Sequence, residues 1–154
     1  MTNHYIASAA EDYDNARELF REYAVAINID LEFQQFEKEL ANLQAMYQSP
    51  FGGIILLKTD GELSGCIAVR KFNDTIGEIK RMYIKPAFQN KGLAKILMQQ
   101  ALQLAKDCNY TFVRLDTLNT MQAAIHLYKK WGFYKIPAYN YNPMPTVVYF
   151  EKEL

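Results

Sequence analysis

Cysteine, proline and glycine are scarce: the 154 residues hold two, five and seven of them, with one tryptophan. Charge of either sign in excess is missing too, since 17 Lys and Arg balance 17 Asp and Glu. Cys66 and Cys108 have no C-x-x-C or His-rich neighbourhood, which argues against a disulfide framework and a zinc site. His4 and His126 stand apart, so no metal is expected. A net charge of zero speaks against a chain that grips nucleic acid through an overall basic field. No window approaches about 18 uninterrupted apolar residues, and the N-terminus MTNHYIASAAEDYD lacks a basic region followed by an apolar stretch. No membrane partner is expected, and the default address is cytoplasmic. Linkers, repeats and low-complexity tracts are also lacking, so residues 1–154 are expected to form one domain. What is abundant is apolar surface, with half the residues hydrophobic and 14% aromatic, enough to exclude a disordered chain.

The hydrophobic period changes along the chain. A short strand, His4 to Ala7, leads into Ser8-Ala-Ala-Glu11, which has the form of a capping box. Ala16, Leu19, Phe20, Tyr23, Ala24 and Ile27 then recur at helical spacing. Asp30 reads as the cap of a second helix striped by Phe33, Phe36, Leu40, Leu43 and Tyr47. Strand-like runs at 53–58 and 63–72 flank Asp60-Gly61, a pair suited to a tight hairpin turn. A third run follows Asn73-Asp74 and stops before Pro86. A helix over 91–108, a strand over 111–117, a helix over 122–131 ended by Gly132, and a strand over 146–151 complete the order. The expected class is a mixed α/β sheet with antiparallel hairpins and helices packed on it.

Gln89-Asn90-Lys91-Gly92-Leu93-Ala94 lies where a strand turns into a helix. The first amides of a helix have no internal partner and its dipole attracts anions, so this turn suits a phosphate. Gly92 permits close backbone approach, and Lys91 and Lys95 add positive charge. Neither G-x-x-x-x-G-K-[ST] nor G-x-G-x-x-G is present, which disfavours ordinary nucleotide sites. A helix start with solvated lysines is the plain alternative.

Gln89-x-x-Gly92-x-Ala94 resembles the Q/R-x-x-G-x-G/A turn of the GNAT superfamily of acyl-CoA N-acyltransferases. Ala124-Ile-His-Leu-Tyr128-Lys-Lys-Trp-Gly132-Phe133 resembles that superfamily's A-x-x-L-Y-x-x-x-G-F signature, and the element order agrees along the whole chain. GEIKRMYIKP, RLDTL and Tyr139-Asn-Tyr-Asn-Pro143 further resemble a group of small bacterial members. The resemblance implies a twisted sheet of about six or seven strands with about four helices on its two faces. It also implies a V-shaped opening between two parallel central strands, here ending near Ile84 and Thr117. Acetyl-CoA would be the cosubstrate. Its pyrophosphate would rest on Gln89, Asn90, Lys91, Gly92, Leu93 and Ala94, and its pantetheine along Met82, Tyr83 and Ile84 like an added strand. The implied activity is acetyl transfer to a primary amine of a small molecule, amino acid or peptide in a ternary complex, by a monomer or homodimer. A non-catalytic acyl-CoA sensor of the same fold is the alternative.

An amine must arrive unprotonated to attack a thioester, yet alkylamines have pKa values near about 10.4. Glu78, 11 residues before Gln89, occupies the position that the resemblance gives to a catalytic base. On a regular strand Glu78, Lys80, Met82 and Ile84 share one face, on the side of the expected CoA contacts. An ion pair with Lys80 or Arg81, or the placing of water, is the alternative role. Tyr128 matches the tyrosine that serves as general acid, and a packed structural tyrosine is its alternative. A backbone amide near Met82 would polarise the thioester carbonyl. One position departs from the pattern: Met121 stands where many members carry a pantetheine-binding Asn, and Asn119 lies two residues earlier. Phe33, Phe36, Tyr139 and Tyr141 are expected to wall the acceptor site, although helix-stripe aromatics such as Phe33 and Phe36 also suit a core. Finally, residues 1–75 carry 6 basic against 12 acidic side chains and residues 76–154 carry 11 against 5. The expectation from this split is an acidic N-terminal wall for a cationic amine, opposite a basic cofactor half.

Overall fold

The computed structural model describes the backbone of residues 1–154 and the side chains of all but Phe33 and Gln34. A chain entering through β1 (Thr2–Ile6) passes into helix α1 (Ala10–Ile27). The Asp12 carboxylate starts that helix by accepting the amides of Ser8 and Ala9 at 2.9 and 3.0 Å. Asp12 rather than Glu11 therefore makes the return bond, and the helix begins one residue later than its Ser8 signal predicts. The two amide bonds hold the Asp12 pKa below the ordinary carboxylate value.

The expected second helix is broken. Asp30 caps only a 3-10 turn, Leu31–Gln34, by accepting the Glu32 amide at 3.0 Å. Gln35 then adopts φ 55° and interrupts the helical path. Two short pieces follow, α2 (Phe36–Ala41) and α3 (Leu43–Met46). Their stripe still packs as predicted, with Phe36, Leu40, Leu43 and Tyr47 in one core with Leu19 and Phe20 of α1.

The hairpins are local in origin. Asp60 and Gly61, at φ 52° and 84°, form the tight turn between β2 (Gly53–Thr59) and β3 (Glu62–Lys71). Between β3 and β4 (Ile76–Ile84), Asn73 Oδ1 accepts the amides of Thr75 and Ile76 at 2.9 and 2.8 Å. Helix α4 (Leu93–Asp107), β5 (Phe112–Leu118), α5 (Gln122–Lys130), β6 (Tyr134–Ile136) and β7 (Val147–Glu153) follow. The three-residue β6 has no counterpart in the sequence reading, being too short to show a period.

All seven strands join one sheet in the order β1-β2-β3-β4-β5-β7-β6, with β4 and β5 parallel and every other pair antiparallel. One face packs on α4 and α5 around Ile67, Val69, Leu97, Ala101 and Phe150. The other packs on α1 to α3 around Phe20, Leu40, Ile54 and Leu56. Among the described residues no helix is long and apolar enough to cross a membrane.

Candidate active site

The parallel pair at the centre of the sheet is short. Strands β4 and β5 pair only at Ile76–Phe112, Gly77–Val113 and Glu78–Arg114. Beyond that point β4 runs six residues further and β5 four, without pairing to each other. The strands splay, and the opening continues as a cleft of about 850 Å³. Along it lie Met82, Tyr83 and Ile84 of β4, then Gln89, Asn90, Gly92, Leu93, Ala94 and Lys95 at the start of α4. The opposite side is formed by Thr120, Met121, Ala124, Leu127 and Trp131.

Eight of the nine residues predicted to hold a cofactor are thus gathered in one cleft. Lys91 is the exception, with its ammonium 5.6 Å from the Phe88 ring centre rather than in the cleft wall. The turn is built to receive an anion. Asn90 and Gly92 take φ 62° and 77°, and no side chain caps α4, so its leading amides have no side-chain partner. A Cβ built at Gly92 would meet nothing within 4 Å, which leaves the approach open. Anion-binding turn, long cleft and unpaired strand edge suit the pyrophosphate and pantetheine of acetyl-CoA.

Where the strands part, the cleft continues into a chamber of about 60 Å³ walled by Lys80, Arg81, Asp116, Thr117, Tyr23 and Tyr128. Tyr128 is held by rings on three sides, with Phe133, Phe150 and Trp131 centred 5.8, 6.2 and 6.4 Å away. Its hydroxyl has no hydrogen-bond partner among the described residues. Unlike the orphaned hydroxyls of Tyr5 and Tyr47, it is not sealed inside the protein. Burial pushes the Tyr128 pKa upward, so the phenol keeps its proton through neutral and mildly alkaline conditions.

Glu78 sits at the root of the V, 3% exposed. Arg70 Nε donates to its Oε1 at 2.9 Å and the Tyr139 hydroxyl to its Oε2 at 2.8 Å. Burial alone would raise its pKa, but Lys80, Arg70 and the Tyr139 hydroxyl overcome that and hold it below the ordinary value. Among the described residues its salt bridge is to Arg70, directly opposite in the β3–β4 register, while the charge of Lys80 also acts on it. Counting back from the Asn73-Asp74 turn would have found that partner.

The regular-strand expectation fails three residues later. Arg81 has φ 60° and the β3–β4 register shifts there, inserting one extra residue. Ile79, Met82 and Ile84 therefore all pack toward α4 and α5, while Tyr83 packs toward α1. Glu78 and Lys80 consequently lie on the face opposite Met82 and Ile84.

The bulged Arg81 is itself only 4% exposed. Its Nε and Nη2 donate to Glu39 at 3.0 and 2.8 Å, and its guanidinium lies over the rings of Tyr23 and Phe36 at 5.6 and 5.4 Å. Glu39 more than offsets the burial penalty and keeps Arg81 charged. Phe36, predicted to wall the acceptor site, is core and reaches the site only by supporting Arg81. Phe33 lies outside the described side chains. Tyr139 belongs to the site through Glu78 and stacks between Phe72 and Tyr149, at 5.2 and 5.1 Å. Tyr141 is 78% exposed and lies on the surface.

Asp116, Tyr23, Lys80 and Arg81 are wall residues that the sequence reading left without a site role. Met121 lines both the cleft and the chamber, while the Asn119 carbonyl accepts a hydrogen bond from Gln122. Asp116 lay within RLDTL as an undifferentiated strand residue, and no local pattern could show that β5 has lost its partner there. Among the described residues no group of three His, Cys, Asp or Glu could hold a metal ion.

Residues 13–133 match the model of the acetyltransferase (GNAT) family. An uncharacterized N-acetyltransferase of Schizosaccharomyces pombe is 34% identical over 94% of this chain and 90% of its own length. The human N-acetylaspartate synthetase is 31% identical over 70% of this chain and 36% of its own. Among solved structures, an acetyltransferase of Streptococcus agalactiae aligns with TM-score 0.81 at 16% identity, covering 99% of this chain and 98% of that one. A GNAT family acetyltransferase of Elizabethkingia anophelis with acetyl-CoA bound aligns with TM-score 0.71 at 19% identity, over 99% and 98%. With its two signatures on the turn and helix that frame one cleft, the chain belongs to the GNAT acetyltransferase family and is an acetyl-CoA dependent acyltransferase.

Proposed function

We propose that this protein transfers the acetyl group of acetyl-CoA to the primary amine of a small molecule, amino acid or peptide, by direct attack in a ternary complex in the cytoplasm. The observation that carries the reading is the junction at Tyr128. The long apolar cleft for the cosubstrate and the small charged chamber share Tyr23, Met82, Met121 and Ala124, and Tyr128 lines the chamber just inside them.

The thioester supplies an electrophilic carbonyl and a sulfur leaving group. A backbone amide near Met82 polarises that carbonyl as charge develops on its oxygen. The Tyr128 hydroxyl, kept protonated by burial, hydrogen-bonds the departing thiolate and stabilises it. The phenol is a weaker acid than a thiol, so stabilisation rather than complete proton transfer is its larger part. The Arg70 and Tyr139 bonds to both Glu78 oxygens favour a positioning and electrostatic role for that carboxylate over proton abstraction. The Tyr139 wall expectation becomes a supporting one, since its hydroxyl is spent on Glu78.

The test is an initial-rate study of thiol release with acetyl-CoA and an amine panel, both substrates varied. Intersecting reciprocal plots and a product heavier by one acetyl group are expected. Parallel plots, or an acetylated protein formed before amine is added, would contradict direct transfer.

A further inference from the structure

One carboxylate in the inner chamber keeps bonding capacity unspent. Asp116 of β5 lines that chamber, and directly opposite it in the β5–β7 register stands Tyr149. The Tyr149 hydroxyl donates to Asn140 Oδ1 at 3.0 Å, which turns the Asn140 amide nitrogen toward Asp116 Oδ2 at 3.3 Å. Among the described residues that long bond is all that Asp116 accepts, and it forms no ion pair. The cations in the same walls already answer acids of their own: Arg81 holds Glu39 through two bonds, and burial pulls the Lys80 pKa down against the charge of Glu78. Beside this chamber, sharing Tyr23, Arg81, Asp116, Thr117 and Met121 with it, lies a second of about 40 Å³. Its remaining wall is chiefly Ile27, Ile29, Leu31, Met144 and Val147 and adds no charge. Such a space holds roughly three groups of water or methyl size.

We infer that the acceptor is a short primary amine with an apolar, branched body and no carboxylate, its ammonium held by Asp116 and its hydrocarbon end by Ile27, Leu31 and Val147. The inference rests on the acetyl-transfer reading and narrows its acceptor. An ammonium supplies the charge-assisted donors that Asp116 lacks. The apolar end then leaves water for a wall of its own kind, which adds binding without any further charge. An α-carboxylate on the same skeleton would stand within a few ångströms of Asp116, and like charges repel strongly where water is scarce. Arg81 could answer that carboxylate only by leaving Glu39 unpaired in the interior. A second ammonium at the far end, as in a diamine, would enter the apolar chamber and lose its hydration there. Once the bound ammonium gives a proton to solvent, its nitrogen forms the new C–N bond as the C–S bond breaks, and the electron pair leaves on the sulfur beside Tyr128.

The test uses the unmodified protein with three acceptors: 3-methylbutylamine, leucine, which adds a carboxylate to that skeleton, and 1,4-diaminobutane, which exchanges its branched end for a second charge. Thiol release is read as kcat/KM. 3-Methylbutylamine is expected to exceed leucine by at least about 30-fold and 1,4-diaminobutane by at least about tenfold. Asp116→Asn should lower kcat/KM for 3-methylbutylamine by about 30-fold and shrink its lead over leucine, with the Kd for CoA within about twofold. Val147→Asp should reverse the order of 3-methylbutylamine and 1,4-diaminobutane, a change that a merely structural role for Val147 would not produce. If the variants fail to fold, the acceptor series still decides. Leucine or 1,4-diaminobutane turned over as well as 3-methylbutylamine would overturn the inference while leaving amine acetylation standing. Absence of thiol release with every amine, although CoA binds, would overturn the acetyl-transfer reading and this inference with it.

Discussion

Tyr128 and Glu78 separate the two ways a polar side chain can serve this site. Tyr128 lines the chamber and has no hydrogen-bond partner among the described residues, so in the proposed reaction its hydroxyl is available to the leaving sulfur. Tyr128→Phe is expected to lower kcat by about 100-fold, within the range usual for a lost acid or thiolate-stabilising group. The rings around it remain packed, so melting temperature should change little in a thermal scan. Glu78 is the reverse case, enclosed and committed to Arg70 and Tyr139. Glu78→Ala leaves Arg70 without its carboxylate in a mostly buried setting and should destabilise by about 3 kcal/mol in denaturant unfolding. Both Glu78 and Glu39 have pKa values held below the ordinary carboxylate value in the folded state. Their stabilising effect is therefore complete above that ordinary value and is lost as pH falls through the lower folded value. Thermal unfolding should show a falling midpoint between about pH 5 and pH 2, less steep in Glu78→Gln. Tyr128 and Glu78 were both legible in the sequence as candidates, but their environments were not. An ion pair between adjacent strands can be read only once register is known, and Asp116 acquires a site only when β5 parts from β4.

At the scale of elements, the turn before α4 and the bulge in β4 carry the site. Gly92 adopts φ 77° with open space before it, so Gly92→Ala meets no clash and only the cost of a left-handed backbone, about 1 kcal/mol. Its effect should fall on cosubstrate binding: the Kd for CoA, measured by calorimetry, should rise severalfold, with kcat at saturation within about twofold. The root of the V is less forgiving. A Cβ at Gly77 would stand 2.7 Å from the Tyr110 ring, so Gly77→Ala should destabilise by about 1 to 3 kcal/mol in denaturant unfolding. The helices and hairpins were legible because their signals are local: periodic stripes, Asp60-Gly61 and the Asn73 side chain. The bulge at Arg81 was not, because an arginine carries no signature for a positive φ. It is over-determined instead by the distant Glu39 and by the rings of Tyr23 and Phe36. That one inserted residue put Glu78 and Met82 on opposite faces, where alternation had placed them together. The second helix broke for a similar reason, since its apolar stripe survives while Gln35 turns the backbone.

Across the whole molecule, the zero net charge conceals a division that does not serve the purpose its sequence suggests. The acidic side chains of the first half are largely spent on solvent: Glu11, Asp14, Glu18, Asp30, Glu32 and Glu37 are exposed. Glu39 is buried and paired with Arg81, and Glu22 accepts from the Tyr83 hydroxyl at the cleft wall. The carboxylate that lines the chamber is Asp116, which comes from the basic half. The charged lining of the chamber, Lys80, Arg81 and Asp116, thus belongs to β4 and β5 rather than to the acidic N-terminal half. The central claim, that transfer occurs in this chamber beside Tyr128, where the cosubstrate cleft opens into it, is tested most directly by one paired measurement. Turnover and CoA affinity are compared in the unmodified protein and in Tyr128→Phe. The account predicts a kcat lower by about 100-fold with the Kd for CoA unchanged within about twofold. Undiminished turnover in Tyr128→Phe would contradict it.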